Sequence, residues 1–266
     1  MGTSSCGKIL NKMKVALIGA GNLMTNLGKA LKSAEDVEIV QVWSRTEASA
    51  QSLASILNTG YTNDISSVLE ADVYIIAVKD NALESLIPSL AAKHPNSVFF
   101  HTAGSMPMDV FESYAKHYGV FYPMQTFSKN KEVNFKEIPV FIEANDEKSS
   151  ILLKLLAKSV SDHIFELSSE RRKYLHLAAV FACNFTNHCY DLAAHILEPK
   201  GIPFSVMLPL IDETARKVHE LSPHDAQTGP AVRYDENVMN RQIALLEDEN
   251  TKQIYKILSQ SIHDKL

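Results

Sequence analysis

Val15-Ala16-Leu17-Ile18-Gly19-Ala20-Gly21-Asn22-Leu23 decides the reading of this chain: an apolar run of strand length, two glycines one residue apart, then the start of a helical pattern. Strand, tight turn and helix in that order suit a pyrophosphate. Gly19 permits the turn, Gly21 lets backbone approach the phosphates, and the first N–H groups of the helix offer unpaired donors at the positive end of its dipole. The expected contacts are Gly19, Ala20, Gly21, Asn22 and Leu23. The third glycine of the full fingerprint is absent and Met24 holds its place, so helix and strand must pack differently or the dinucleotide must shift. Alone, a G-x-G is a weak signal, and a plain strand-to-helix turn would use the same residues.

Further along, a second β-rich run ends in Val42-Trp43-Ser44-Arg45-Thr46. An NAD site places an acid at such a point to bind the ribose 2′-hydroxyl. Here Arg45 stands between two hydroxyl side chains, Ser44 and Thr46, a set able to make charge-assisted bonds to a 2′-phosphate. The expected cofactor is therefore NADP, with NAD the weaker ligand. A solvated surface arginine is the plain alternative.

From Lys14 to Leu167 short β-rich runs alternate with longer periodic segments, which predicts βαβ units around a mostly parallel sheet. The strands are read at Lys14–Ile18, Glu38–Trp43, Val73–Val78, Ser97–His101, Gly119–Tyr122, Pro139–Glu143 and His163–Leu167. Crossover helices fit Asn22–Ser33, Thr46–Leu57, Asn81–Lys93, Met108–His117 and Asp146–Val160. Ligands of open parallel sheets bind outside the carboxyl ends of the strands, where three polar segments fall: Lys79-Asp80-Asn81, His101-Thr102-Ala103-Gly104-Ser105 and Pro123-Met124-Gln125-Thr126. Val78, Lys79, Asn81 and Thr102 are the further cofactor contacts expected.

After Leu167 the β signal gives way to helix signals, so the chain divides into a nucleotide-binding domain, residues 1–167, and an all-α domain, residues 168–266. One long helix is expected from an N-cap at Ser168 to the stop at Glu198-Pro199-Lys200-Gly201. Its stripe of Leu175, Ala178, Ala182, Thr186, Cys189, Ala193 and Ile196 is rich in small residues and suits close approach of another helix. More helices fit Pro203–Glu220, Glu236–Glu247 and Asn250–Ile262. A helical domain this small buries a limited core of its own, which predicts a homodimer.

Charge and composition narrow the partners. With 26 Lys and Arg against 31 Asp and Glu the net charge is -5, which gives no cationic field for nucleic acid. The longest apolar runs fall far short of the roughly 20 residues needed to span a bilayer. Residues 1–8 are polar and small, without the apolar centre of a secretory signal, and read as a loose tail. Cys183 and Cys189 lie about 9 Å apart along one helix, too far for a disulfide, and a cytoplasmic location is expected.

The motifs resemble a known group: the Rossmann-like proteins related to pyrroline-5-carboxylate reductase and the deazaflavin-dependent NADP oxidoreductases, in the branch whose second domain is a domain of unknown function. The likeness is carried by Gly19-Ala20-Gly21-Asn22-Leu23, Ile76-Ala77-Val78-Lys79-Asp80, His101-Thr102-Ala103-Gly104-Ser105 and, most specifically, Gly119-Val120-Phe121-Tyr122-Pro123-Met124-Gln125-Thr126-Phe127. His176 to Phe185 and Thr228-Gly229-Pro230 extend it over nearly the whole chain. It implies a Rossmann domain followed by a helical domain like that of 6-phosphogluconate dehydrogenases, paired as a homodimer, and it names no substrate. The hydroxyacid dehydrogenases of that superfamily carry a catalytic Lys four residues before an Asn on the long helix; here Val180 stands four before Asn184, which disfavours their chemistry.

Hydride transfer needs a group that exchanges a proton with the heteroatom beside the reacting carbon. His176 and His101 are the candidate acid/base residues, and Asn184 and Gln125 the candidate hydrogen-bonders that orient a substrate. Each also has a structural reading. Asn184, His188, Asp191 and His195 share a helix face, but the two histidines are two turns apart and no metal site is expected. The function expected is an NADP-dependent oxidoreductase acting on a small carbonyl or imine substrate in a cleft between the two domains; the alternative is a non-catalytic NADP-binding sensor.

Overall fold

The computed structural model describes residues 12–265, so the expected N-terminal tail lies outside them. Eight strands form one sheet: β1 (Met13–Ile18), β2 (Val37–Trp43), β3 (Gly60–Thr62), β4 (Val73–Ile76), β5 (Val98–His101), β6 (His117–Pro123), β7 (Val140–Ala144) and β8 (Ile164–Glu166). Their order is β3-β2-β1-β4-β5-β6-β7-β8. Neighbours are parallel except β6 and β7.

Alternation along the strands builds a core on both faces. Val15, Leu17, Val73, Ile75, Val98 and Phe100 pack with residues of α1 (Asn22–Lys32), α2 (Glu47–Leu57) and α4 (Glu147–Val160). Ala16, Ile18, Tyr74, Ile76 and Phe99 pack with α3 (Asp80–Lys93) and Phe111. The chain winds outward from β1 to β3 with helices on one face, then returns to the other side of β1 with α3 on the opposite face. Right-handed crossovers require that change of face when the direction of winding reverses. The reversal falls between β1 and β4.

The expected strands and the helices over 22–33, 46–57, 81–93 and 146–160 all appear, with ends shifted by at most two residues. The helix expected at Met108–His117 does not. A 3-10 turn covers Met108–Phe111, drives Phe111 fully into the core against Phe99, His101 and Tyr118, and β6 begins at His117, leaving too little chain for a crossover helix. Strand β3 was not foreseen: three residues carry no periodic signal, and Gly60–Thr62 is a strand by virtue of its ladder with Gln41–Trp43.

The chain forms two compact units, dividing between Ala179 and Val180. The helix expected to run unbroken from 168 to 198 comes as α5 (Ser169–Ala179), a π-helical segment Val180–Phe185 and α6 (Thr186–Leu197). From the first residue of α6 the Thr186 hydroxyl donates back to the Phe181 carbonyl of the π segment, five residues earlier. Helix α5 belongs to the sheet unit. The second unit holds α6, α7 (Leu208–Lys217), α8 (Glu236–Ala244) and α9 (Glu249–Asp264), the last two N-capped by the Asp235 and Asp248 carboxylates. Among its described residues only Ala231 and Met239 are buried apolar side chains, while Phe181, Phe185, Val206, Leu210, Leu245 and Ile257 are exposed. Among the described residues no helix is long and apolar enough to cross a membrane.

Candidate functional site

The carboxyl ends of β2, β1, β4 and β5 are laced into a ledge. Gly19 N–H donates to the Trp43 carbonyl (2.7 Å), Ala77 N–H to Ile18 (2.8 Å) and Thr102 N–H to Ile76 (3.1 Å). Gly19 has a φ of +118°, and a β-carbon on it would lie 2.2 Å from the Ala77 carbonyl oxygen. Conformation and space each demand glycine there.

Gly21 is different. As the residue before α1 it has a φ of -79° and a ψ of -175°, ordinary extended backbone, and a β-carbon on it would meet nothing within 4 Å. The fold would accept alanine, and the helix would gain from a serine or aspartate cap. Among the described residues no side chain caps α1, so its first N–H groups keep the unpaired donors of a helix start. The close packing usually supplied by a third glycine comes one turn later than Met24, which is fully buried: a β-carbon on Gly28 would press on Leu57 and Leu17 at 2.9 and 3.2 Å. The missing glycine is thus replaced at 28 rather than dispensed with.

Ser44, Arg45 and Thr46 follow β2, directly beside the turn. Arg45 and Thr46 are exposed, and Arg45 enters none of the ion pairs among the described residues. Trp43 is buried, and its indole Nε1 has no hydrogen-bond partner among the described residues. Val78 and Lys79 continue past β4, and Asn81 sits exposed in the first turn of α3. Ser105 Oγ donates to Asp80 Oδ2 at 2.5 Å, tying the loop after β5 to the start of α3. Thr102 is buried with its hydroxyl on the Ile76 carbonyl. Gln125 is exposed beyond β6, its side-chain oxygen accepting from Thr126 N–H.

The two candidate histidines part company. His101 has no solvent exposure; its Nδ1 accepts from Ala103 N–H at 3.1 Å, so the proton sits on Nε2, 3.3 Å from the Pro107 carbonyl. Burial, and secondarily the Arg172 guanidinium, push its pKa down to about 3. A neutral ring with both nitrogens engaged and no solvent access is not placed to exchange a proton with a substrate, against the acid/base expectation for His101. His176 is half-buried on α5, and its Nδ1 lies 3.0 Å from the Tyr122 hydroxyl at the end of β6. Asn184 lies in the π segment of the second unit and is exposed. His195 Nδ1–H donates to the Asp191 carbonyl of its own helix, and among the described residues no three His, Cys, Asp or Glu side chains converge as metal ligands.

One group of residues was not anticipated. Arg172, 1% exposed, pairs with Glu143 at 2.7 Å and donates to the Met106 carbonyl at 2.6 Å. Ser169 Oγ donates to the same carboxylate and accepts from Met108 N–H. This buried network clamps the loop after β5 to the first turn of α5, one turn before His176. Its only sequence trace is Ser-x-x-Arg opening a helix after an acid near the end of a strand, too common to single out.

A doubly wound sheet with a glycine turn at its switch point and an uncapped helix above it defines a Rossmann nucleotide-binding protein. Family models match in two places: "NADP oxidoreductase coenzyme F420-dependent" over residues 14–100 and a "domain of unknown function" over 138–262. A Bacteroides fragilis structure described as a "putative NADP oxidoreductase" is 52% identical, with 95% of this chain and 98% of that chain covered and a TM-score of 0.91. This chain belongs to the same NADP oxidoreductase family. At the level of fold it is also similar to an imine reductase from Myxococcus stipitatus in complex with NADP+ (14% identity, 94% and 92% covered, TM-score 0.67). A 1-pyrroline-5-carboxylate reductase from Streptococcus pyogenes is similar in the same way (16%, 96% and 98%, 0.65). No curated protein matches.

The state of His101 makes a prediction about acid stability. The folded protein keeps this ring neutral to about pH 3, while the unfolded chain protonates it at its ordinary value near 6.5. Between those values the unfolded state binds the extra proton, so stability falls as pH falls, by up to about 1.4 kcal/mol per unit. Urea unfolding from pH 7 to 4 should show that slope, and His101→Gln should lose this part of it; an unchanged slope in the variant would contradict the assignment.

Proposed function

We propose that this protein transfers hydride between NADP and a small carbonyl or imine compound, with the reacting groups at the carboxyl ends of β4, β5 and β6. The observation that carries the reading is Gly21: the backbone there needs no glycine and no neighbour needs the space, so the missing side chain is explained by a ligand that comes close to the main chain. The residues fit the cofactor. Gly19, Ala20, Gly21, Asn22 and Leu23 would hold the pyrophosphate on the α1 N–H groups, and Ser44, Arg45 and Thr46 the 2′-phosphate. Val78, Lys79, Asn81 and Thr102 would line the nicotinamide half.

When bound, NADP supplies or accepts the hydride. What the chain must add is small. His176 gives or takes the proton of the substrate heteroatom, and the Gln125 amide orients the substrate. Asn184, two turns beyond His176 in the sequence, is proposed as a second orienting group. The imine reductase and pyrroline-5-carboxylate reductase names belong to distant relatives; they make a C=N bond a reasonable first substrate class to assay.

Two variants separate ligand from fold. Gly21→Ala should leave the melting temperature unchanged and weaken NADPH at least about tenfold, roughly 1.4 kcal/mol, by titration calorimetry; unchanged NADPH affinity would remove the carrying observation. Arg45→Asp should weaken NADPH by about the same factor and NADH far less, because the new carboxylate repels a 2′-phosphate and accepts a ribose hydroxyl. Equal loss for both would show that Arg45 is not the discriminator. NADPH that binds but is never oxidised across a panel of imines and carbonyls would favour the sensor reading.

The second unit supports a further part of the proposal, a homodimer. Helices whose large apolar side chains are mostly exposed need a cover, and a second copy presenting the same faces supplies one. Light scattering at micromolar concentration should give about twice the chain mass of 29.5 kDa; a mass of one chain would remove it.

A further inference from the structure

Gly104 also owes its identity to its surroundings, and the reason is two side chains. A β-carbon on it would come within 2.5 Å of His176 Nδ1 and 2.9 Å of Tyr122 Cζ. Its φ lies outside the left-handed range, so backbone conformation does not call for glycine; the two rings do. Over this gap the Tyr122 hydroxyl meets His176 Nδ1 at 3.0 Å, and the rings cross edge to face at a centroid distance of 6.0 Å. Tyr122 is 8% exposed and closes β6. The Arg172 network holds both the Gly104 loop and the first turn of α5, so the three residues are fixed from two sides.

We propose that Gly104, Tyr122 and His176 form a proton-transfer unit, in which Tyr122 is the positioning residue that fixes the ring of His176 and leaves Nε2 to the substrate. The proposal rests on the NADP reading above. A phenol is suited to this part because its oxygen accepts a hydrogen bond while its O–H donates one. It can receive Nδ1–H when the imidazole is protonated and donate to Nδ1 when that nitrogen is bare, so contact is kept in both charge states. In the reductive direction the substrate carbon gains the hydride and the electron pair of its C=O or C=N bond moves to the heteroatom. That atom takes the proton from Nε2–H of protonated His176, and the ring is left neutral, still on Tyr122. Solvent returns the proton.

The placement agrees with the ledge. Gly104 follows β5, two strand spacings or about 10 Å from the Gly19 turn, on the side away from Arg45. A dinucleotide whose pyrophosphate lies on α1 and whose 2′-phosphate lies at Arg45 extends its nicotinamide in this direction.

The test reads the ring itself. In the full-length protein labelled with 15N-histidine, the resonances missing from His176→Gln identify His176. Tyr122→Phe keeps the ring and removes the hydroxyl, and it should change the tautomer ratio of His176 by about threefold to tenfold, the factor one net hydrogen bond is worth, with a shifted titration midpoint. Gly104→Ala, which wedges the rings apart, should reproduce that signature. NADP+ at saturation should move the His176 resonances in the wild type. A tautomer ratio and titration unaffected by both substitutions overturns the unit. Resonances untouched by NADP+ that calorimetry shows to be bound overturn its place at the nicotinamide. If calorimetry shows no binding, the cofactor reading fails and the proton-transfer role with it, while the Tyr122 dependence of the titration remains a separate result.

Discussion

The contact between the Gly19 turn and the Ala77 carbonyl is the constraint from which the rest of the site follows. No β-carbon fits between them, and that closeness lets β1 and β4 lie as parallel neighbours while their chains depart to opposite faces of the sheet. Because the winding reverses at this pair, the helices that follow diverge, and a gap opens above the strand ends. The uncapped N-terminus of α1 stands at this switch point. The hydrogen bonds from Gly19, Ala77 and Thr102 to successive neighbouring strands turn four separate chain ends into one continuous ledge.

The far end of that ledge is built on charge rather than on glycine. Arg172 and Glu143 are nearly out of water, and such a pair is no guarantee of net stability, because desolvation offsets most of the attraction. Its geometry is specific, however: one guanidinium satisfies a carboxylate, a carbonyl of the loop after β5 and a serine hydroxyl. The same positive charge helps keep His101 neutral. Of the two histidines that flank the ledge, one is thereby a structural donor to the Pro107 carbonyl, and the other is left with a nitrogen not engaged by Tyr122.

Local signals were legible and distant pairings were not. Seven of the eight strands, the switch from sheet to helix, the glycine turn and the basic residue after β2 are written in consecutive residues, and the structure has them within two residues of where the pattern puts them. Met24 carried half a message: the sequence shows that the third glycine is missing, but that Gly28 takes up the packing emerges only once Leu17 and Leu57 are seen against it. The helix expected over 108–117 failed because Phe111 is worth more in the core than as one step of a helical stripe. Tyr122 meets His176 across 54 positions, and Arg172 meets Glu143 across 29; single-sequence spacing carries nothing about either pair. Two polar residues quoted for their place in a motif thus acquired their chemistry from topology.

The central claim is that the gap above the Gly19 turn is a dinucleotide site, and amide hydrogen exchange with and without NADP+ tests it most directly. The account predicts slowed exchange concentrated in the first turn of α1, the segment after β2 around Ser44 to Thr46, and the segments after β4 and β5. Protection absent from the first turn of α1, or confined to regions away from the strand ends, would contradict it.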